Sequence, residues 1–128
     1  MYELRQWLKE RTHKESPWGD VCDTNGYSQS IYQTESGTCC VCRSQGDTVR
    51  HEIFYGTADR KTSKAVGCWL YLCPSCHAKA HKCGDFDYGL KVSAQRLFES
   101  KHSDPHNAQS TVEAHEMFMT LFGKNYLL

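Results

Sequence analysis

Two cysteine pairs constrain this chain more than any other feature of its sequence. Cys39-x-x-Cys42 and Cys73-x-x-Cys76 have the same internal spacing and are separated by thirty residues. Two residues between thiolates allow both sulfurs to reach one tetrahedral ion, and two such pairs complete a closed zinc site. We therefore predict one structural Zn²⁺ bound by these four cysteines.

Other uses of the cysteines, which number eight in 128 residues, stay open. A redox CxxC pair would stand in a thioredoxin-like context, which the sequence lacks. A disulfide-stapled secreted domain would follow an uninterrupted apolar signal, whereas residues 1–16 alternate charged and apolar side chains. Cys40 competes with Cys39, although Cys40-x-Cys42 is a poorer knuckle spacing. We expect packed thiols at Cys22, Cys68 and Cys83.

The order of elements around the two pairs predicts a small α+β fold. Residues 48–55 alternate in the manner of a strand, and residues 68–72 form a second strand. Pro74 suits the first turn of a helix that runs to about Lys82. A knuckle, a hairpin and a helix that supplies the second cysteine pair describe a treble-clef zinc unit.

Helices and polar segments flank this unit on both sides. The other predicted elements are a helix over residues 1–15, a polar arm over 17–38, a basic loop over 56–67 and a helix over 92–101. A last helix begins at Ser110, where Glu113 completes a capping box, and ends before Gly123. We predict two parts: an N-terminal helix and arm at 1–38, and a zinc-binding domain with C-terminal helices at 39–128.

A formal net charge of zero conceals a basic centre. Residues 39–102 carry ten basic and six acidic side chains, or +4, while each flank carries −2. Arg60, Lys61 and Lys64 fall in this central segment and are candidates for nucleic-acid contacts, because cationic side chains pair with phosphate oxygens. A solvated loop without a ligand is the alternative. No apolar run is long enough to cross a membrane, and without a signal we expect a reducing, cytoplasmic location.

Three histidines lie in the same central segment as the cysteine pairs: His51 precedes the second pair, and His77 and His81 follow it. His77 and His81 lie four residues apart on the predicted helix, so their imidazoles project from one face and can bind one ion. His51 lies on the strand that packs against this helix in a treble clef. We expect the three to converge beside the basic loop, and solvated surface histidines are the alternative.

These residues together resemble a known nuclease family. The motif comprises His51-Glu52-Ile53-Phe54, then Gly56, Arg60 and Ser63, then Trp69-x-Tyr71-Leu72-Cys73-Pro74-x-x-Cys76-His77. It resembles the HNH (His-Me finger, ββα-metal) endonucleases, and more narrowly the small HNH-like proteins of bacterial phages and prophages. The tail from Phe118 to Leu127 matches the same group, so the resemblance covers residues 39–128.

The resemblance implies hydrolysis of DNA phosphodiester bonds with a catalytic divalent ion (Mg²⁺, Mn²⁺, Ni²⁺ or Zn²⁺) inside the bacterial host cell. His51 is then the catalytic base, with Glu52 as a secondary candidate, and His77 and His81 are the metal ligands in that order. The middle asparagine of the family motif has no match, and Asp59 stands where relatives often carry another asparagine. The alternative is a non-catalytic treble-clef zinc module that binds nucleic acid or a protein.

Overall fold

A computed structural model describes residues 3–128 as a small α+β fold built from five helices and one two-stranded sheet. In chain order the elements are α1 (Leu4–Leu8), β1 (Val49–Glu52), α2 (Asp59–Ala65), β2 (Trp69–Leu72), α3 (Pro74–Lys82), α4 (Gly84–Lys101) and α5 (Ala108–Phe122). The strands pair antiparallel, with His51 opposite Leu70. Among the described helices, none has the length and hydrophobicity that a membrane crossing requires.

The hairpin and the helix after it occur where the sequence predicts them. β2 and α3 match the prediction closely, and Pro74 occupies the first position of α3. β1 is shorter than predicted and ends at Glu52. The next two residues are buried in the interior. The backbone N–H of Ile53 donates to the Cys68 carbonyl, and that of Phe54 donates to the Ser63 hydroxyl.

The predicted basic loop over 56–67 is wrong in one respect, because it contains α2. Thr62, Ser63 and Ala65 on this helix are buried. The Ser63 hydroxyl donates to the Cys68 carbonyl at 2.6 Å, which satisfies a polar group inside the core. Polar residues with interior partners therefore form a helix that hydrophobic periodicity does not reveal. The predicted helix over 92–101 likewise begins earlier, at Gly84.

The predicted helix over residues 1–15 is also too long, since α1 ends at Leu8. Trp7 is fully buried and its indole N–H donates to the Glu15 carbonyl at 3.0 Å. The Trp7 ring stacks on His13 at 3.7 Å between centroids. The chain must fold back on itself to make these contacts, so a straight helix cannot continue. Residues 1 and 2 of that prediction lie outside the described residues.

The arm over 17–38 contains no helix or strand, as predicted, but it is tied closely to the rest of the chain. Its backbone N–H groups at Ser28 and Ile31 donate to the carbonyls of Lys64 and Gly67 at 3.1 and 2.9 Å. Trp69 donates its indole N–H to the Ser28 carbonyl at 2.8 Å. Gly67 has φ +82, and a Cβ there would collide with the Gln29 carbonyl. The arm therefore packs across α2 and β2.

An aromatic core links the elements. Phe54 lies 4.3 Å from Phe122 and 5.4 Å from Phe118, ring to ring, which joins the end of β1 to α5. Phe98 of α4 contacts Phe118 at 5.7 Å. Trp7 belongs to the same core cluster, so residues from both sides of position 38 share one interior. The division into two parts at that position stays a prediction.

Candidate metal centre and histidine site

The four cysteines predicted to bind zinc lie together. The Sγ atoms of Cys39, Cys42, Cys73 and Cys76 are all within 4.8 Å of one another. Cys42 Sγ and Cys73 Sγ are 3.8 Å apart, and four thiolates placed tetrahedrally about 2.3 Å from a zinc ion are separated by about 3.8 Å. The cluster can therefore hold a structural metal such as zinc.

Both pairs sit in turns whose backbone N–H groups point at sulfur. Cys42 N–H donates to Cys39 Sγ at 3.5 Å, and Cys76 N–H donates to Cys73 Sγ at 3.4 Å. Cys73 is the N-cap of α3, where the helix dipole favours an anionic group. Arg43 follows the first pair with φ 66, a left-handed conformation that closes its turn. The local backbone thus favours thiolates at both positions.

The pKa values of these thiols reflect the crowding. Burial acts to raise the pKa of Cys39, but backbone N–H groups outweigh it and lower the pKa to about 6. The N–H of Cys76 lowers the pKa of Cys73. Burial, followed by bonds to neighbouring sulfurs, raises the pKa of Cys76 to about 12. Adjacent thiolates repel one another, and a dication would relieve that repulsion.

The other cysteines stand apart from this cluster. Cys40 directs its thiol toward the Gln33 carbonyl at 4.0 Å and so does not replace Cys39. Cys68 is fully buried and Cys22 nearly so, as expected of packed thiols, whereas Cys83 is only half-buried. Burial raises the pKa of both Cys68 and Cys22, which keeps these thiols protonated.

The three histidines also converge. One ring nitrogen from each of His51, His77 and His81 lies within 4.8 Å of the others. The Nε2 atoms of His77 and His81 are 3.1 Å apart, close to the spacing of about 3.3 Å for two imidazoles on one tetrahedral zinc. His51 comes from β1 and the other two from successive turns of α3. The strand and the helix therefore bring together three nitrogens that suit a borderline divalent ion.

His51 is buried, and its Nε2 has no hydrogen-bond partner among residues 3–128. Burial, followed by the charges of His77 and His81, lowers the pKa of His51 to about 4. Burial and His81 also lower the pKa of His77. Both rings are neutral at pH 7, which is the form that binds a metal or accepts a proton. Nε2 of His51 is therefore not engaged by another side chain or by the backbone, and it lies with the other two histidines in one pocket.

Glu52 differs from His51 in its surroundings, as strand alternation predicts. Tyr27 donates its hydroxyl to Glu52 Oε2 at 2.7 Å, and Arg60 lies 3.7 Å from Oε1. Burial and the Glu52 carboxylate raise the pKa of Tyr27, so the phenol stays a donor. Both carboxylate oxygens therefore have partners, and this residue is less free than His51 to take a proton.

The three basic residues predicted to contact nucleic acid lie on α2, and their side chains differ in whether other groups of the protein hold them. The Arg60 side chain is 55 % exposed. Lys61 donates its ammonium group to the Glu10 carbonyl, and Lys64 lies 5.0 Å from the centre of the Tyr27 ring. Arg60 also lines the 170 Å³ pocket that contains the three histidines.

Two tyrosines near the histidines were missed by the sequence reasoning. Tyr55 lines the histidine pocket, with its ring 5.5 Å from His81. Tyr27 reaches Glu52 from the aperiodic arm. The alternation predicted for residues 48–55 places Tyr55 on the same face of the strand as His51, and this pattern could have identified Tyr55 as a site residue. No local pattern places Tyr27 beside a residue that lies 25 positions away along the chain.

Comparison of this chain with protein families, with curated proteins and with solved structures finds no match.

Proposed function

We propose that this protein is a zinc-stabilised, metal-dependent endonuclease that hydrolyses DNA phosphodiester bonds, as the resemblance to HNH-like phage proteins implies. The observation that carries the proposal is the convergence of His51, His77 and His81 in one small pocket beside Arg60. A purely structural zinc module would not need this cluster, because its four cysteines already complete one metal site.

The cysteine cluster has a supporting role in this proposal. A zinc ion on its four sulfurs would fix the turn after Cys39 to the start of α3 at Cys73, in a treble-clef arrangement. The same helix carries His77 immediately after Cys76. Holding the start of α3 thus sets the position of the histidine ligands relative to β1.

His77 and His81 would hold the catalytic divalent ion, and the spacing of their Nε2 atoms suits this role. That ion supplies Lewis-acid stabilisation to the scissile phosphate and the departing 3′ oxygen. His51, neutral and unpartnered at Nε2, accepts a proton from the attacking water. Arg60 faces the same pocket and can pair with a phosphate oxygen. Glu52 positions Arg60 rather than acting as the base.

Incubation with supercoiled plasmid tests the function. The protein, loaded with zinc at the cysteines, is expected to nick or linearise plasmid when Mg²⁺, Mn²⁺ or Ni²⁺ is added, and to leave it intact without added ion. Failure to cleave with every ion, at protein concentrations that bind the plasmid, would overturn the nuclease proposal. It would leave a zinc module that binds nucleic acid.

A further inference from the structure

A second and larger depression adjoins the histidine pocket. It is a groove of about 1050 Å³ that residues 11–14 and 21–26 line on one side, and Gly56, Thr57 and α2 line on the other. The groove and the histidine pocket share Arg60, and they meet where Tyr55 is followed by Gly56. We propose that this groove binds the phosphate backbone of the DNA that enters the histidine pocket, an inference that rests on the proposed nuclease function.

The charge of the groove favours a polyanion. Its basic residues are Arg11, Lys14, Arg60, Lys61 and Lys64. Among the described residues that line it, Asp23 is the only carboxylate, and it is paired with Arg50 at 2.7 Å. Neutralisation of phosphates by such a group of cations releases counterions from DNA, which drives binding without sequence preference.

The cations of the groove divide into two kinds. Arg60, Lys61 and Lys64 have partners within the fold, which are the Glu52 carboxylate, the Glu10 carbonyl and the Tyr27 ring respectively. Arg11 and Lys14 are exposed, and within residues 3–128 neither side chain has an ion-pair or hydrogen-bond partner. These two residues are therefore available for phosphates, and they lie before the arm, outside the segment 39–128 that resembles nucleases.

The groove also offers an apolar contact. Val21 lines it and is 79 % exposed, which leaves a branched aliphatic side chain open to solvent beside the cations. A nucleic-acid strand presents phosphates together with the apolar faces of sugars and bases, so one strand can contact the cations and Val21 at the same time. The combination of free cations and an exposed valine thus favours DNA as the occupant.

Binding measured separately from cleavage tests this inference. Fluorescence anisotropy of a labelled 20-nucleotide single strand and of its duplex is recorded without added divalent ions, in a His51→Ala background. The double variant Arg11→Ala/Lys14→Ala is expected to bind DNA about ten-fold more weakly. The slope of log K against the logarithm of the salt concentration is also expected to be shallower by about one to two for this variant. Unaltered thermal unfolding would show that the variant folds.

A matched double variant removes the same charge elsewhere. Arg96 and Lys101 are exposed on α4 and lie outside the groove. Arg96→Ala/Lys101→Ala is expected to bind DNA within about two-fold of the unaltered background, because non-contacting charges act only through the screened field. Equal weakening by both double variants would overturn the inference. A poly-glutamate chain that binds as tightly as DNA would overturn it too and would assign the groove to acidic peptides.

The two proposals fail in different ways. If the protein cleaves plasmid but the Arg11/Lys14 variant binds DNA like the control, the groove proposal is wrong and the nuclease proposal stands. If that variant loses binding but the unaltered protein never cleaves, the nuclease proposal is wrong and the groove remains a DNA-binding surface. Absence of DNA binding at low salt would overturn the groove proposal directly.

Discussion

At the scale of single residues, buried polar groups without partners mark the places where this fold is sensitive to its surroundings. His51 is one such group and lies in the proposed catalytic pocket. His102 is another, and it lies far along the chain at the end of α4. Its ring packs against Trp18 at 4.2 Å and Phe98 at 4.5 Å. An imidazole in such a place is stable only while it is neutral.

We expect His102 to make the protein less stable in acid. Burial, and then the charge of Lys101 against a weaker opposing effect of Asp20, lowers the pKa of His102 to about 4. In the unfolded chain His102 has its ordinary pKa of about 6.5. Between pH 6.5 and pH 4 the unfolded chain therefore binds a proton on this residue that the folded chain does not bind. The contribution of neutral His102 to the free energy of unfolding is complete above pH 6.5 and is lost as pH falls toward 4. It amounts to about 1 kcal/mol, since partial exposure screens it.

The His102→Phe variant isolates this contribution, because phenylalanine keeps the ring contacts and cannot titrate. Urea unfolding between pH 4 and 7 should show a smaller loss of stability in acid for the variant than for the unaltered protein. His106→Asn, at an exposed loop position, should leave the pH dependence unchanged. Parallel pH profiles for the unaltered protein and His102→Phe would contradict the assignment.

At the scale of elements, sequence patterns predicted some segments well and others poorly for identifiable reasons. β2 and α3 were predictable because a short apolar run, a proline and a CxxC pair fix their limits. α2 was missed because its buried Thr62 and Ser63 are polar, and only tertiary partners make their burial favourable. α1 was overextended because the fold-back contacts of Trp7 cannot be read from helical spacing.

The start of α5 shows the same distinction. The sequence predicts a capping box of Ser110 and Glu113, but the helix begins at Ala108, and Asn107 Oδ1 accepts the N–H groups of Gln109 and Ser110. Ser110 instead bonds the backbone around Asp104 and Asn107. The end of the helix at Gly123, with φ 74, agrees with the prediction.

We predict that Asn107→Ala lowers the free energy of unfolding by about 1 kcal/mol, since it leaves two backbone donors without a cap. Glu113→Ala should change it by less than about 0.5 kcal/mol, because this exposed side chain does not serve as a capping partner. Urea denaturation of the two variants measures both values. A larger decrease in the free energy of unfolding for Glu113→Ala than for Asn107→Ala would support the capping box predicted from the sequence instead.

At the scale of the whole molecule, the cysteine cluster joins segments that are far apart in the chain. The two-stranded sheet is small, and a hairpin of this size is marginal without further support. A metal on four cysteines would link the turn before β1 to the start of α3 and stabilise the fold by its binding free energy. Spacing alone predicted this cluster, whereas the packing of the arm across α2 and β2 could not be predicted from an aperiodic polar segment.

In a His77→Ala/His81→Ala background, which lacks the histidine ligands, elemental analysis should therefore find about one zinc per chain. Cys39→Ser and Cys76→Ser should each abolish stoichiometric zinc and lower the unfolding temperature, because three sulfurs do not close the site. Cys40→Ser is the matched control, since Cys40 lies beside the cluster but directs its thiol elsewhere. Full zinc content in Cys76→Ser would contradict the four-cysteine assignment.

Plasmid cleavage by a His51 variant distinguishes a nuclease from a zinc module that only binds DNA. His51→Ala should fold and bind zinc at the cysteines like the unaltered protein, yet lose at least about 100-fold in cleavage rate with added Mn²⁺ or Mg²⁺, since it removes the proposed general base. His106→Ala, which removes an exposed histidine outside the pocket, should cleave at the unaltered rate. Equal cleavage by His51→Ala and His106→Ala would show that His51 is not the general base and that the histidine pocket is not the site of hydrolysis.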